Sequence, residues 1–308
     1  MSLAFLYAGQ GSQHPGMGAD LYEAHPAFRA VLDAAGVDFD LKTTMFTDPG
    51  GVLNLTEYTR PCMGAVAAGM TALLAERGIV PDYAAGLSLG EYSALQCAGV
   101  FTAPQAISLA AFRGKAMAAA AAGRPCGMTA VLGLDREKLQ EACRQAAGAG
   151  VVEIANYNCP GQLVIGGEQA AVDKAAALAK ELGAKRCLPL KVSGPFHTSL
   201  LAPAGDALRE KFRETAFGAM RIPVLFNCLG REMGPEDTIP ALLGKQVQTS
   251  VYMEDTIRRL AELGVDTIVE IGPGKALIGF VKKTAPAIKT YAVETCADLD
   301  ALSAALKG

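Results

Sequence analysis

Histidine is scarce in this chain: three residues in 308, at positions 14, 25 and 197. Chemistry that needs an imidazole therefore has few candidates, and a histidine-built zinc site is disfavoured because the three lie far apart in sequence. The eight cysteines, at 62, 97, 126, 143, 159, 187, 228 and 296, make no Cys-x-x-Cys pair and no Cys–His cluster. That is the pattern of reduced thiols in a cytoplasmic protein rather than of a disulfide framework. No long run of lysine or arginine occurs, and the net charge is −3, so nucleic-acid binding is not expected. Apolar stretches are broken by Gly, Pro or charge well before the ~20 residues of a membrane span. The opening MSLAFLYAGQGSQ has too short an apolar patch, and no basic leader, for a signal peptide. No internal repeat is visible.

What is present is the material of a sizeable core. Hydrophobic residues make up 51% and charged residues 19%, and a chain of this length buries roughly three quarters of its unfolded surface. LAFLYA (3–8) reads as a buried strand running into a glycine-rich loop. Residues 63–77 and 104–122 read as helices, the second with proline in its first turn and Gly123 beyond its end. From about 125 the texture changes. GMTAVLGL, VVEIANYN, GQLVIGG and AKRCLPLKV read as strands, with DREKLQEACRQAA and EQAAVDKAAALAKEL as helices, a β-α-β-β-α-β order. Strands resume with VLFNCLG and DTIVEIG, and helices with VYMEDTIRRLAEL and GKALIGFVKKT. The expected fold class is α/β. A large α/β-hydrolase-like domain with a mostly parallel sheet (1–124 and 193–308) carries an inserted small ferredoxin-like α+β domain (125–192).

Gly86-Leu87-Ser88-Leu89-Gly90 lies between a strand and a helix, the setting of a nucleophile elbow. The helix N-terminus beneath Ser88 favours negative charge, and the Leu89 amide can donate to an oxyanion. The alternative is an ordinary helix-capping serine. A catalytic serine needs a base, and His14 and His25 are flanked by prolines in polar surroundings. His197 sits in Ser193-Gly194-Pro195-Phe196-His197-Thr198, a glycine–proline loop, and is the one plausible base. The acids between Ser88 and His197 fall mostly on helices or within the inserted domain. A Ser–His dyad oriented by something other than a carboxylate is therefore expected.

Several separated motifs, taken in order, resemble those of the malonyl-CoA:acyl carrier protein transacylase family. They are Gly9-Gln10-Gly11-Ser12-Gln13; Gly86 to Glu91; Arg113-Gly114-Lys115-Ala116-Met117; Asn156 to Gln162; Gly194-Pro195-Phe196-His197; Gln246 ahead of Val251; and Glu270-Ile271-Gly272-Pro273-Gly274. The resemblance runs end to end and implies an acyltransferase that supplies extender units for fatty acid synthesis. It implies a malonyl ester on Ser88, with His197 as base and then acid. It further implies that the Gln246 backbone carbonyl orients His197, that the Gln10 amide joins that of Leu89 in an oxyanion hole, and that Arg113 pairs with the malonyl carboxylate. Met117, Asn158 and Phe196 are the remaining substrate-binding candidates. Arg113 also fits locally, since a guanidinium fork matches a carboxylate; the alternative is a surface arginine whose stem lies on apolar neighbours.

The chain departs from the family pattern at Leu87, where a histidine is common, and at Phe196, where some members have a smaller serine. The implied partners are malonyl-CoA and acyl carrier protein. Neither metal nor tightly held cofactor is expected, nor nucleic acid or membrane, and the chain is expected to act as a monomer. Carrier proteins are acidic, so a basic rim drawn from Arg124, Lys185, Arg186, Lys191, Lys282 and Lys283 is expected. Three competitors remain: a serine thioesterase or hydrolase, a trans-acting acyltransferase for a polyketide synthase, and a non-catalytic docking relative.

Overall fold

The computed structural model describes residues 1–307. Along the chain its strands are β1 (Leu3–Tyr7), β2 (Tyr83–Gly86), β3 (Cys126–Leu132), β4 (Val152–Cys159), β5 (Gln162–Glu168), β6 (Arg186–Pro189), β7 (Leu225–Phe226), β8 (Arg231–Glu232), β9 (Val251–Tyr252), β10 (Thr267–Ile271) and β11 (Lys289–Val293). Two units share them. The first is Met1–Gly114, Ala216–Leu225 and Arg258–Gly308, and the second is Lys115–Thr215 with Phe226–Ile257.

In the first unit β11, β10, β1 and β2 form, in that order, a wholly parallel sheet. Strands covered on both faces need apolar side chains at nearly every position rather than at alternate ones. LAFLY in β1 and TIVEI in β10 meet that need, and every residue of both is buried. The one charge among them, Glu270, accepts from the backbone N–H groups of Leu277 (3.1 Å) and Ile278 (2.8 Å) at the start of the Ala276–Thr284 helix. Two donors that the helix cannot satisfy internally thus hold a carboxylate at its positive end. The Glu-Ile-Gly-Pro-Gly motif is therefore a joint between strand and helix.

The second unit is built on a five-stranded sheet ordered β6-β3-β5-β4-β9. The pairs β3–β5, β3–β6 and β4–β5 are antiparallel, and β9 joins β4 in parallel. Side chains alternate between the two faces of a strand. One face, with Val131, Ile154, Leu163 and Ile165, closes a core with Leu139 and Val172 of the Arg136–Ala146 and Gln169–Glu181 helices. The unit reaches beyond 125–192, taking in residues 115–124, 193–215 and 226–257. For 226–257 the cause lies in pairing too short to leave a sequence signal. Two-residue β9 attaches through Val251 to Asn156 and through Tyr252 to Tyr157. The Tyr252 ring stacks on Tyr157 with centroids 5.0 Å apart, and Arg136 holds Asp255 with two hydrogen bonds of 3.0 and 2.9 Å. His197 accordingly belongs to the second unit and not to the unit that carries Ser88.

Two element boundaries also differ from the sequence pattern. The helix expected from residue 63 runs Thr56–Glu76 with Pro61 inside it. Proline removes one donor from a helix whose neighbouring residues are all buried, and packing outweighs that loss. VLFNCLG supplies only the two residues of β7 before the chain turns. Among the described residues no helix is long and apolar enough to cross a membrane.

Candidate active site

Ser88 stands between β2 and the Gly90–Cys97 helix with φ +54°. A left-handed backbone costs a non-glycine residue about 1–2 kcal/mol. Only three non-glycine residues among those described have positive φ, namely Asp48, Ser88 and His197. Two of the three are the expected nucleophile and base. Such strain persists only where the surroundings impose it, and at Ser88 two glycines do so. A Cβ on Gly86 would lie 2.1 Å from the Gly90 carbonyl carbon, and one on Gly90 would lie 2.2 Å from the Tyr7 carbonyl oxygen. Neither position admits a side chain. Leu87 donates its amide to the Tyr7 carbonyl at 3.0 Å, and its side chain lies against Gly9, where a Cβ would meet Leu87 Cγ at 3.1 Å. Leu87 therefore braces the start of the Gly9–Gln13 loop through packing.

Arg113, fully buried on the Ala103–Ala121 helix, donates from Nη2 to Ser88 Oγ at 3.1 Å. Donation from a cation favours the alkoxide over the hydroxyl. The guanidinium lies over the Tyr92 ring, with Cζ 5.6 Å from the centroid, so an aromatic face helps aim it. Sequence reasoning missed Tyr92; its one signal is its place a turn beyond Ser88 on the helix that the elbow begins. It also missed Arg60, a second arginine buried in this unit, whose pKa burial holds down at about 10. Glu91, an acid candidate in the sequence, is fully buried here as well. The Leu89 and Gln10 amides donate to no other described residue, which leaves both N–H groups available to an oxyanion. The Gln10 side chain ties its loop to Thr56 by a 3.3 Å hydrogen bond from Nε2 to Oγ1.

The same loop carries His14, which is half exposed and whose Nε2 meets Glu294 Oε1 at 2.5 Å. The other Glu294 oxygen accepts from the Gly274 amide at 3.0 Å. The hydrogen bond to Glu294 raises the His14 pKa, helped by the Pro15 carbonyl. A raised folded-state value means that the pair's stabilisation is complete below the ordinary histidine value of about 6.5 and is lost as pH rises through the folded value. The melting-temperature difference between the wild-type chain and His14→Ala is expected to be largest below the ordinary histidine value of about 6.5 and to shrink as pH rises through the raised folded-state value. A difference that stays constant with pH would show that the charge on His14 adds nothing.

In the second unit His197 is buried, with φ +62°. Its Nδ1 donates to the Gln246 carbonyl oxygen at 2.8 Å, and its own amide donates to the Val247 carbonyl at 3.2 Å. Gln246 is the last residue of the Ile239–Gln246 helix. Its carbonyl is one of those a helix end leaves unsatisfied, and it sits at the negative pole of the helix. A proton held on Nδ1 leaves Nε2 as the basic nitrogen. Past His197, Glu153 accepts from the Ser199 amide (2.8 Å) and hydroxyl (2.5 Å) and fixes that turn. Phe196 and Met117 are buried. Asn158 is buried on β4, and its Oδ1 makes no hydrogen bond among the described residues. Ser88, Leu89, Gln10 and Arg113 thus belong to the first unit, and His197, Gln246, Phe196, Asn158 and Met117 to the second. Among the described residues no group of three or more His, Cys, Asp or Glu side chains is arranged to hold a metal ion, and all eight cysteines are free thiols.

Residues 4–299 match the acyl transferase domain. A curated malonyl CoA-acyl carrier protein transacylase of Bacillus subtilis (strain 168) is 40% identical over 294 residues, covering 94% of this chain and 93% of that one. The chain belongs to the malonyl CoA-acyl carrier protein transacylase family. It is an acyltransferase. The transacylase from Clostridium perfringens matches it in structure with a TM-score of 0.96 and 37% identity, over 100% of this chain and 98% of the other. A malonyl-transacylase solved in complex with a type II polyketide acyl carrier protein matches with a TM-score of 0.94 and 37% identity, over 99% and 100%. The acyl transferase domain match spans every candidate residue from Gln10 to Gln246.

Proposed function

We propose that this chain moves a malonyl group from malonyl-CoA to the phosphopantetheine thiol of acyl carrier protein, by a ping-pong route through an ester on Ser88. The observation that carries this is the hydrogen bond from buried Arg113 to Ser88. A guanidinium beside the nucleophile suits an acyl group that bears its own carboxylate. His197 Nε2 takes the Ser88 proton as Oγ attacks the thioester carbonyl, and the Leu89 and Gln10 amides hold the oxyanion. The C–S bond then breaks, and coenzyme A leaves as the thiol with that proton. In the second half the carrier thiol gives its proton to His197 and attacks the ester, and Ser88 recovers the proton. The Gln246 carbonyl does the orienting work that a carboxylate does in a triad. Met117, Asn158 and Phe196 are assigned to the acyl and pantetheine path.

One thioester replaces another, so the site has more need to exclude water than to drive the reaction. The scheme calls for no metal and no bound cofactor, and it fits a cytoplasmic monomer. The fourth-first-third-second order of the strands β6-β3-β5-β4 supports a ferredoxin-like assignment for residues 125–192. The parallel sheet and the elbow support an α/β-hydrolase-like one for the first unit.

Labelled malonyl-CoA distinguishes this scheme from hydrolysis. Without carrier, the label is expected on the protein in a one-to-one ratio; with holo-carrier, it is expected to pass to the pantetheine thiol. Free malonate released at the same rate with and without carrier would make the chain a thioesterase. The relative solved with a polyketide carrier makes such a carrier the second reading for the acceptor, and parallel assays with fatty-acid and polyketide carriers rank the two.

A further inference from the structure

We infer that the β6 edge of the second unit is the docking surface for the acidic carrier protein, an inference that rests on the malonyl-transfer reading above. Leu188 and Leu190 are 46% and 38% exposed, two residues apart. Single exposed leucines are commonplace, but these two stand among cations. Lys185, Arg186 and Lys191 are all exposed around them, and none is ion-paired to a described residue. An apolar centre with a cationic rim fits a partner that presents apolar side chains among carboxylates.

The strand register shows where this patch leads. Cys187 packs with Val131 on the sheet face covered by helices. Leu188, opposite Ala130, therefore points to the other face, as does Leu190, whose amide donates to the Met128 carbonyl at 2.9 Å. Met128 lies opposite Gly166, and a Cβ on Gly166 would meet both Met128 Cγ and Thr198 Cγ2 at 3.3 Å. The two leucines thus share a sheet face with Thr198, the residue next to His197. Leu190 is seven positions before His197, at most about 25 Å of extended chain. A carrier seated on β6 stands within reach of the imidazole for a flexible prosthetic arm.

A second copy of this chain is the competing occupant. Pro189 lies in the middle of the exposed stretch and has no N–H to give to an added strand. Two copies of the patch would also bring like charges together. Both features favour the acidic partner.

The test uses the full chain and separates the two half-reactions. Leu188→Glu/Leu190→Glu is expected to raise KM for holo-carrier by about tenfold or more, while malonyl-CoA still loads Ser88 at the wild-type rate. Lys185→Ala/Arg186→Ala/Lys191→Ala is expected to flatten the salt dependence of kcat/KM for carrier. An unchanged KM in both variants overturns the docking surface. So does a wild-type dimer that the glutamates split into monomers, which would make the patch a contact between copies. Failure of the wild-type chain to load malonate overturns the transfer reading instead.

Discussion

Ser88→Ala is expected to abolish malonyl labelling of the chain. The nucleophile is the one atom whose loss the rest of the site cannot replace, since no ester forms without Oγ. The measurement is mass spectrometry of the intact protein after incubation with malonyl-CoA: the wild-type chain should gain a single malonyl group and Ser88→Ala none. An adduct that persists on the alanine variant would move the nucleophile elsewhere and sink the assignment. A companion variant reads the backbone rather than the chemistry. Ser88 holds φ +54° between Gly86 and Gly90, and glycine adopts that conformation without the penalty. Ser88→Gly should therefore be equally inactive and yet more stable by about 1 kcal/mol than Ser88→Ala, which loses the same hydroxyl but keeps the strained φ. A glycine variant no more stable than the alanine variant would mean that the elbow imposes no strain on a residue with a side chain.

Arg113→Ala is the second large effect, and it discriminates between acyl groups. The guanidinium is buried, donates to Ser88 Oγ at 3.1 Å and rests on the Tyr92 ring. In the proposed scheme Arg113 holds the malonyl carboxylate by charge-assisted hydrogen bonds, so its loss should lower kcat/KM for malonyl-CoA by roughly 100-fold or more. Acetyl-CoA has no such carboxylate, so its transfer should fall far less or rise. The ratio of the two rate constants is the decisive quantity, because a folding defect would lower both alike. Equal losses would assign Arg113 to structure or to coenzyme A. Arg113→Lys keeps the charge but loses the fork, and is expected to recover only part of the malonyl preference.

The candidate site could be proposed from sequence because the proposed chemistry demands rare residue types. With three histidines in the chain, the search for a base ended quickly at His197. The glycines around Ser88 reported a turn that tolerates no side chain, and the structure gives the distances that forbid one. Arg113 stood out as a charge on an apolar helix face. The lack of a well-placed carboxylate could be read too, whereas a backbone carbonyl has no residue type, so only the resemblance pointed to Gln246 as the proposed orienting group. Tyr92 left only its place a turn beyond Ser88, and Arg60 and the Leu87–Gly9 contact left no signal, because each depends on what lies opposite in space.

The fold divides in the same way. Composition and local pattern determined the α/β class, the run of buried parallel strands and the β-α-β-β-α-β order, since these follow from side-chain periodicity along a few consecutive residues. Tertiary structure alone decided that two residues at Val251–Tyr252 extend the sheet through β4, and so drew 226–257 and His197 into the second unit. It alone decided that Glu270 is spent on capping a helix. Pairings between distant segments are set by shape and by the hydrogen bonds that buried groups must find. A sequence lists those groups but does not say which of them will meet.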